Sequence, residues 1–475
     1  MLPPFRLGLF GVGLDAYWPQ FTGLKERLEG HLGQVARHLA RPGVELVNLG
    51  LVDTADRAFA AGSEFRRQDV DLIVLHVTTY ALSSTVLPVV RRARVPVLVL
   101  NVAPSEAIDY AKFNALGDRT RMTGEWLAHC SACPVPEIAN VFRRAGIRFH
   151  LVTGVLADAD PCWREVDAWV DAGRVAAQLH GQRLGLMGQY YGGMLDIYSD
   201  LTRHCATFGT HFEMIEVEEL SALRREAAPA AVNTRLKEFR TTFDIQPDCA
   251  EADLMDAART SVALDRLVAI HRLGGLAYYH KGSGLAENEA TMASIILGTS
   301  LLTARGVPVA GEYEVKNLQA MKVMDLLGAG GSFTEYYAMD FTDDIVLMGH
   351  DGPGHIAIAQ GKTRVRPLQV YHGKVGRGVS IEMAVKHGPV TLLSVYETPE
   401  GRLALLHAQA ESVPGPILQI GNTNSRYRFA CGAREFVNRW SAHGPAHHCA
   451  IGVGHVSDRL EKLGALLGME TTRVC

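Results

Sequence analysis

The chain has 475 residues, 47% of them apolar and 21% charged, with a formal net charge of −4. That length excludes one ordinary domain and predicts two or three. A nearly balanced charge without blocks of one sign excludes nucleic acid and membrane surfaces as partners. No apolar run reaches the roughly 18–20 residues a membrane helix needs. The start does not read as an export signal: no basic segment precedes its short apolar stretch, and Asp15 and Tyr17-Trp18 stand where small cleavage residues belong. The expectation is a cytoplasmic protein that handles a small polar molecule.

Residues 1–170 alternate strand and helix signals. Strands are predicted at 6–13, 44–50, 71–77 and 95–101, with an amphipathic helix at 21–40. Continuous Val/Leu/Ile strands between helices predict a parallel sheet covered on both faces. Ligands of such sheets bind beyond the carboxyl ends of the strands, here 11–18, 76–80 and 101–105. Residues 171–325 repeat the pattern. Strands are predicted at 182–188, 211–217, 273–280 and 307–314. Helical stretches are predicted over 222–273, broken near Gln246-Pro247, and over 284–306. From 326 to 475 the texture becomes β-rich, with strands at 343–350, 366–373, 378–388, 389–401 and 402–411 joined by Gly/Pro turns. Helices at 434–440 and 457–467 close the chain. The fold class is therefore α/β: two doubly wound parallel-sheet domains followed by a mostly antiparallel β C-terminal domain.

Nine of the 19 histidines fall between His350 and His455. Two clusters could ligate a metal, M-G-H-D-G-P-G-H (His350, His355) and A-H-G-P-A-H-H (His443, His447, His448). Two carboxylates stand in apolar surroundings: Glu312 after V-P-V-A-G, and Glu335 in G-G-S-F-T-E-Y-Y. A charge there is costly unless paired or bound to a cation. Taken singly, each carboxylate reads first as a helix cap or surface ion pair and each histidine as a surface or packed imidazole. Together, two oxygen and two imidazole donors suit a borderline divalent cation better than structural zinc. Cys130 and Cys133 form one C-x-x-C. A redox pair or half a zinc site is the sharper reading; with no second such motif, reduced and partly buried thiols are expected.

The order and context of these residues resemble the L-arabinose isomerase pattern within the arabinose/fucose isomerase family. Glu335 follows Glu312 by 23 residues, His350 follows by 15 more, and His448 by a further 98. The strings V-A-G-E-Y-E, G-G-S-F-T-E-Y-Y, I-V-L-M-G-H and P-A-H-H carry the likeness. The resemblance implies domains at 1–170, 171–325 and 326–475, the last carrying most of a metal site. It implies an aldose–ketose isomerase that works through a cis-enediol on a free pentose, hexose or deoxy-sugar. Glu312, Glu335, His350 and His448 would hold Mn²⁺, or Co²⁺, Fe²⁺ or Mg²⁺, and Glu312 and Glu335 would form the acid/base pair. By the same resemblance His129, Tyr17, Trp18, Met194 and His447 would contact the sugar. The protein would be a homo-oligomer, a trimer or hexamer, with pockets where one subunit's N-terminal domain meets its neighbour's metal site. The loops near Tyr17 and after His129 depart from the family pattern, so the reaction class carries over and the particular sugar stays open. An epimerase or lyase on a hydroxy-carbonyl substrate, and a non-catalytic sugar-binding protein, are the alternatives.

Overall fold

The computed structural model describes residues 4–371 and 374–475. The chain divides into two units, Met1–Gln178 and Leu179–Cys475. In the first, five parallel strands lie in the order Val44–Val52, Phe5–Val12, Leu72–His76, Val97–Ala103 and Phe149–Val155. The three interior strands, Phe5–Val12, Leu72–His76 and Val97–Ala103, are almost wholly buried, as their largely apolar runs require. Helices Ala55–Arg67, Leu87–Ala93 and Val135–Arg144 cover one face through Phe65, Val89 and Phe142. The strand order reverses between Phe5–Val12 and Leu72–His76, the place where such sheets bind ligands.

The second unit opens with a four-stranded parallel sheet in the order Val309–Ala310, Gly275–Tyr279, Arg183–Gly188 and His211–Ile215. Its β-rich remainder is a closed ring of antiparallel neighbours. The order runs Gly388–Glu397, Cys449–Val453, Gly330–Asp340, Ile345–His350, Thr423–Arg428 and Leu403–Val413, and the last pairs back onto the first. Closure leaves no edge among these strands for a stray chain to pair with. Between sheet and ring runs the helix Val315–Leu326, buried along almost its whole length. Two of its buried polar side chains are tied to their surroundings: Lys322 donates to the Gly306 carbonyl (2.8 Å) and Gln319 to Thr210 (2.9 Å). One apolar cluster, from Ile215 and Leu264 to Val390 and Phe436, runs through the whole unit. The α/β architecture with an antiparallel C-terminal part is as expected.

Several elements differ from the sequence reading. The helix predicted over 284–306 is two, Ala286–Ala293 and Ile296–Ala304; at Ser294 the backbone N–H donates to the Thr291 carbonyl (3.3 Å), the tightened last turn that closes the first. The strand predicted over 307–314 shrinks to Val309–Ala310, since Glu312 and Tyr313 have φ of +57° and +62°, which no strand tolerates. The 222–273 region holds the end of helix Val217–Arg225, then Pro229–Thr242 and Glu251–His271, with the two-residue strand Asp244–Ile245 at the expected break. Of the strand predicted over 366–373, His372 and Gly373 lie outside the described residues, as do Met1–Pro3 of the amino-terminal stretch. Cys130 and Cys133 are free thiols, whereas Cys431 and Cys475, 44 residues apart, form a disulfide that their spacing did not announce. No helix of the described residues is long and apolar enough to cross a membrane.

Candidate active site

Three neighbouring strands of the ring bring three side chains into one row. Glu335 pairs in register with Gly349, which places His350 one step along the adjacent strand. On the other side Thr334 pairs with Cys449, so His448 enters opposite Glu335. Gly349 is obligatory here: a Cβ would lie 1.8 Å from the Thr423 carbonyl oxygen on the next strand. Glu312 arrives from the parallel sheet, on the loop that follows Val309–Ala310 at its carboxyl end. That loop is held by the Tyr313 N–H donating to the Tyr278 carbonyl (3.0 Å) and the Glu314 N–H donating to that of Gly311 (3.0 Å).

Ligand atoms of Glu335, His350 and His448 lie within 4.8 Å of one another, and so do those of Glu312, His447 and His448. His448 belongs to both groups and is 1% exposed. Its Nε2 stands 3.2 Å from a Glu312 oxygen without hydrogen-bond geometry, and that oxygen has no hydrogen-bond partner among the described residues. Buried acceptors and imidazoles left unsatisfied around one point are what a divalent cation would satisfy, and the mixed O/N donor set fits a borderline ion. His350 Nδ1 lies against the Asp351 carbonyl; donating there, it leaves Nε2 with the lone pair.

The charges are interdependent. Burial would raise the Glu312 carboxyl, but His448, His350 and His447 outweigh it and hold it below the usual carboxylate range. Burial, reinforced by His448, pushes His350 down to about 3, so it is a neutral donor. Burial alone would lower His448, yet Glu312 and Glu314 push it up to about 9.

His447 is set beside this centre by a residue the sequence reading missed. Asp196 accepts from both the backbone N–H (3.0 Å) and Nδ1 (2.6 Å) of His447. His447 Nε2 then faces Glu312 at 3.9 Å and Glu335 at 3.8 Å. Burial would raise the Asp196 carboxyl, but these hydrogen bonds lower it. A cavity of about 680 Å³ opens on the cluster, bounded by Tyr191, Met194, Tyr279, Tyr337 and His447 among others. Its size is that of a small-molecule site, and it lies at the carboxyl ends of the second parallel sheet. There Gly188 turns the chain into the loop carrying Tyr191 and Met194; a Cβ on it would sit 2.0 Å from the Tyr279 carbonyl oxygen.

The other expected contacts belong to the first unit, each on a loop or helix end at the carboxyl edge of its sheet. The Trp18 indole donates to Asp53 (2.8 Å), and the Tyr17 and Phe21 rings meet edge to face. His129 ends the helix Arg119–His129, which Thr79 fastens to the sheet by donating to the Leu127 carbonyl (2.7 Å). Its Nε2 lies 3.4 Å from Glu125, and Glu125 in turn accepts from Arg27 (2.6 Å). The structure thus gathers Glu312, Glu335, His350, His447 and Met194 around one cavity, with His448 buried among the donors, and places Tyr17, Trp18 and His129 at one edge of the other sheet.

Comparison with known proteins adds the lineage. Residues 330–470 match the L-arabinose isomerase C-terminal domain. An L-arabinose isomerase of Nocardioides sp. is 24% identical over 397 residues, covering 80% of this chain and 76% of that protein. Among solved structures, an ABC transporter solute-binding protein from Burkholderia multivorans matches at 12% identity and a TM-score of 0.17, covering 65% of this chain and 97% of its own. A periplasmic solute-binding protein from Actinobacillus succinogenes with bound D-allose matches at 11% and 0.17, over 68% and 92%. At that TM-score neither carries an argument.

Proposed function

We propose, for a chain that belongs to the arabinose isomerase family, a divalent-cation-dependent aldose–ketose isomerase acting on a free pentose, hexose or deoxy-sugar. The sugar-isomerase activity comes with the family. The cation and the roles of individual residues rest on one observation: two overlapping triads of donors, sharing His448, at one end of a single cavity.

Glu312, Glu335, His350 and His448 would hold the cation, Mn²⁺ or a close substitute such as Co²⁺, Fe²⁺ or Mg²⁺. When bound, it would polarise the hydroxy-carbonyl end of the sugar and steady the negative charge building on its oxygens. The proton transfers fall to side chains. One of Glu312 and Glu335 takes the proton from C2 and returns it to C1, while the other passes the hydroxyl proton. Ionised Glu312 is ready to act as the base. His447, Met194, Tyr17, Trp18 and His129 are proposed as sugar contacts, in a cytoplasmic homo-oligomer.

The test is ketose formation from a panel of free aldoses by cation-stripped protein, with and without Mn²⁺, beside Glu312→Gln and Glu335→Gln. The expected outcome is activity that needs the cation, with each variant slowed by about 10²–10⁴-fold. Cation bound without ketose would replace the isomerase by an epimerase or lyase. Sugar bound with no cation at all would replace it by a binding protein.

A further inference from the structure

Two residues after Glu312 stands a second carboxylate whose position its place in the chain does not explain. Glu314 precedes the helix Val315–Leu326, its side chain is 0% exposed, and neither oxygen has a hydrogen-bond partner among the described residues. A carboxylate withdrawn from water without hydrogen bonds is among the costliest arrangements in a folded protein. Two nitrogens face it: Lys316 Nζ at 3.5 Å and His448 Nδ1 at 3.6 Å. Lys316 is itself buried and donates to the carbonyls of Asp196 (2.8 Å) and Tyr198 (3.3 Å). The His448 imidazole is therefore bracketed, with Glu314 beyond Nδ1 and the Glu312 carboxylate beyond Nε2.

We infer that Glu314 is the positioning residue of the cation site: it takes the Nδ1–H of His448, so that Nε2 turns its lone pair to the cation. Lys316 balances the Glu314 charge and fastens the loop whose Asp196 holds His447. The inference rests on the cation-site reading above. A ligating imidazole whose second nitrogen is held by a carboxylate is fixed in tautomer and ring orientation and is a better donor. In the structure the Glu314–His448 separation, 3.6 Å, is that of an ion pair, close enough for a small approach of the ring to complete the hydrogen bond.

The experiment compares full-length wild type, Glu314→Gln and Glu314→Asp. It measures Mn²⁺ affinity by calorimetry, the visible spectrum of the Co²⁺-loaded protein, and melting without cation. Glu314→Gln is expected to bind Mn²⁺ about 10–100-fold more weakly and to shift the Co²⁺ bands, with cation-free melting unchanged or raised. Glu314→Asp is expected to recover part of the affinity. A lower cation-free melting temperature with unaltered affinity and spectrum would mean that Glu314 only supports the fold, and would overturn the inference. If Glu314→Gln does not fold, Glu314→Asp decides: wild-type affinity together with an unshifted spectrum would overturn it, and a loss in both would support it. Wild type that binds neither ion removes the cation reading and this inference together.

Discussion

Glu312 and Tyr313 both hold left-handed backbone conformations, at a cost of about 1–3 kcal/mol each, and the loop keeps them because its ends are tied to Tyr278 and Gly311. Strain at the one loop that carries a carboxylate into the donor cluster is the mark of a side chain aimed for use. The same reasoning applies to Asp196, whose carboxylate takes two hydrogen bonds from His447. Asp196→Asn is expected to lower kcat about tenfold, with KM and melting temperature little changed, because an amide cannot accept from Nδ1 with the same strength. Steady-state kinetics beside a thermal melt would check this, and a proportionate loss of melting temperature would reduce Asp196 to a structural role. In the sequence Glu312 and Glu335 stood out as charges in apolar surroundings, whereas His350 and His448 were two among several clustered histidines, and it was the family resemblance that joined the four. Asp196 was not, since an aspartate in L-D-I looks like any loop residue until the chain brings His447 beside it.

At the scale of elements, three adjacent ring strands convert pairing register into a site. A slip of one residue in any of them would turn its ligand to the other face. Gly349 guards that register by letting the Thr423 backbone approach. Gly349→Ala is expected to cost about 1–3 kcal/mol in urea unfolding through forced strand separation, and to weaken Mn²⁺ binding through the shifted His350. Unaltered stability would mean the strands part more easily than the geometry implies. The strand Gly330–Asp340 escaped the sequence reading because its opening glycines signal a turn. They serve a different end: Gly331 has a φ of +124° and lies against the Met321 carbonyl, so the strand can pass close beneath the buried helix Val315–Leu326. That helix was hidden too, because a helix buried on all sides has no amphipathic period to detect.

For the whole molecule, three histidines outside the donor cluster set a dependence of stability on pH. Burial pushes His76 and His204 down to about 3 and His407 down to about 4. In the unfolded chain each titrates near ~6.5. Below that value the unfolded form binds protons the folded form refuses, so stability falls as pH drops, by up to about 1.4 kcal/mol per pH unit for each histidine. Above neutrality this contribution is constant. Melting of the cation-free protein from pH 8 to 4.5 should show a falling midpoint below about pH 6.5, made shallower by His407→Gln; a flat profile would contradict the burial of these rings. The sequence by itself determined the parallel sheets, from continuous apolar strands between helices, and showed two carboxylates, Glu312 and Glu335, in apolar surroundings. Periodicity and local charge are properties of short segments, and short segments carry them. Only the tertiary structure decided that the β-rich part closes into a ring, that Val315–Leu326 is a helix, and that Asp196 and Glu314 flank His447 and His448 from 251 and 134 positions away. Those facts depend on which distant backbones share a register and which buried charges find one another, and no local pattern encodes such a meeting.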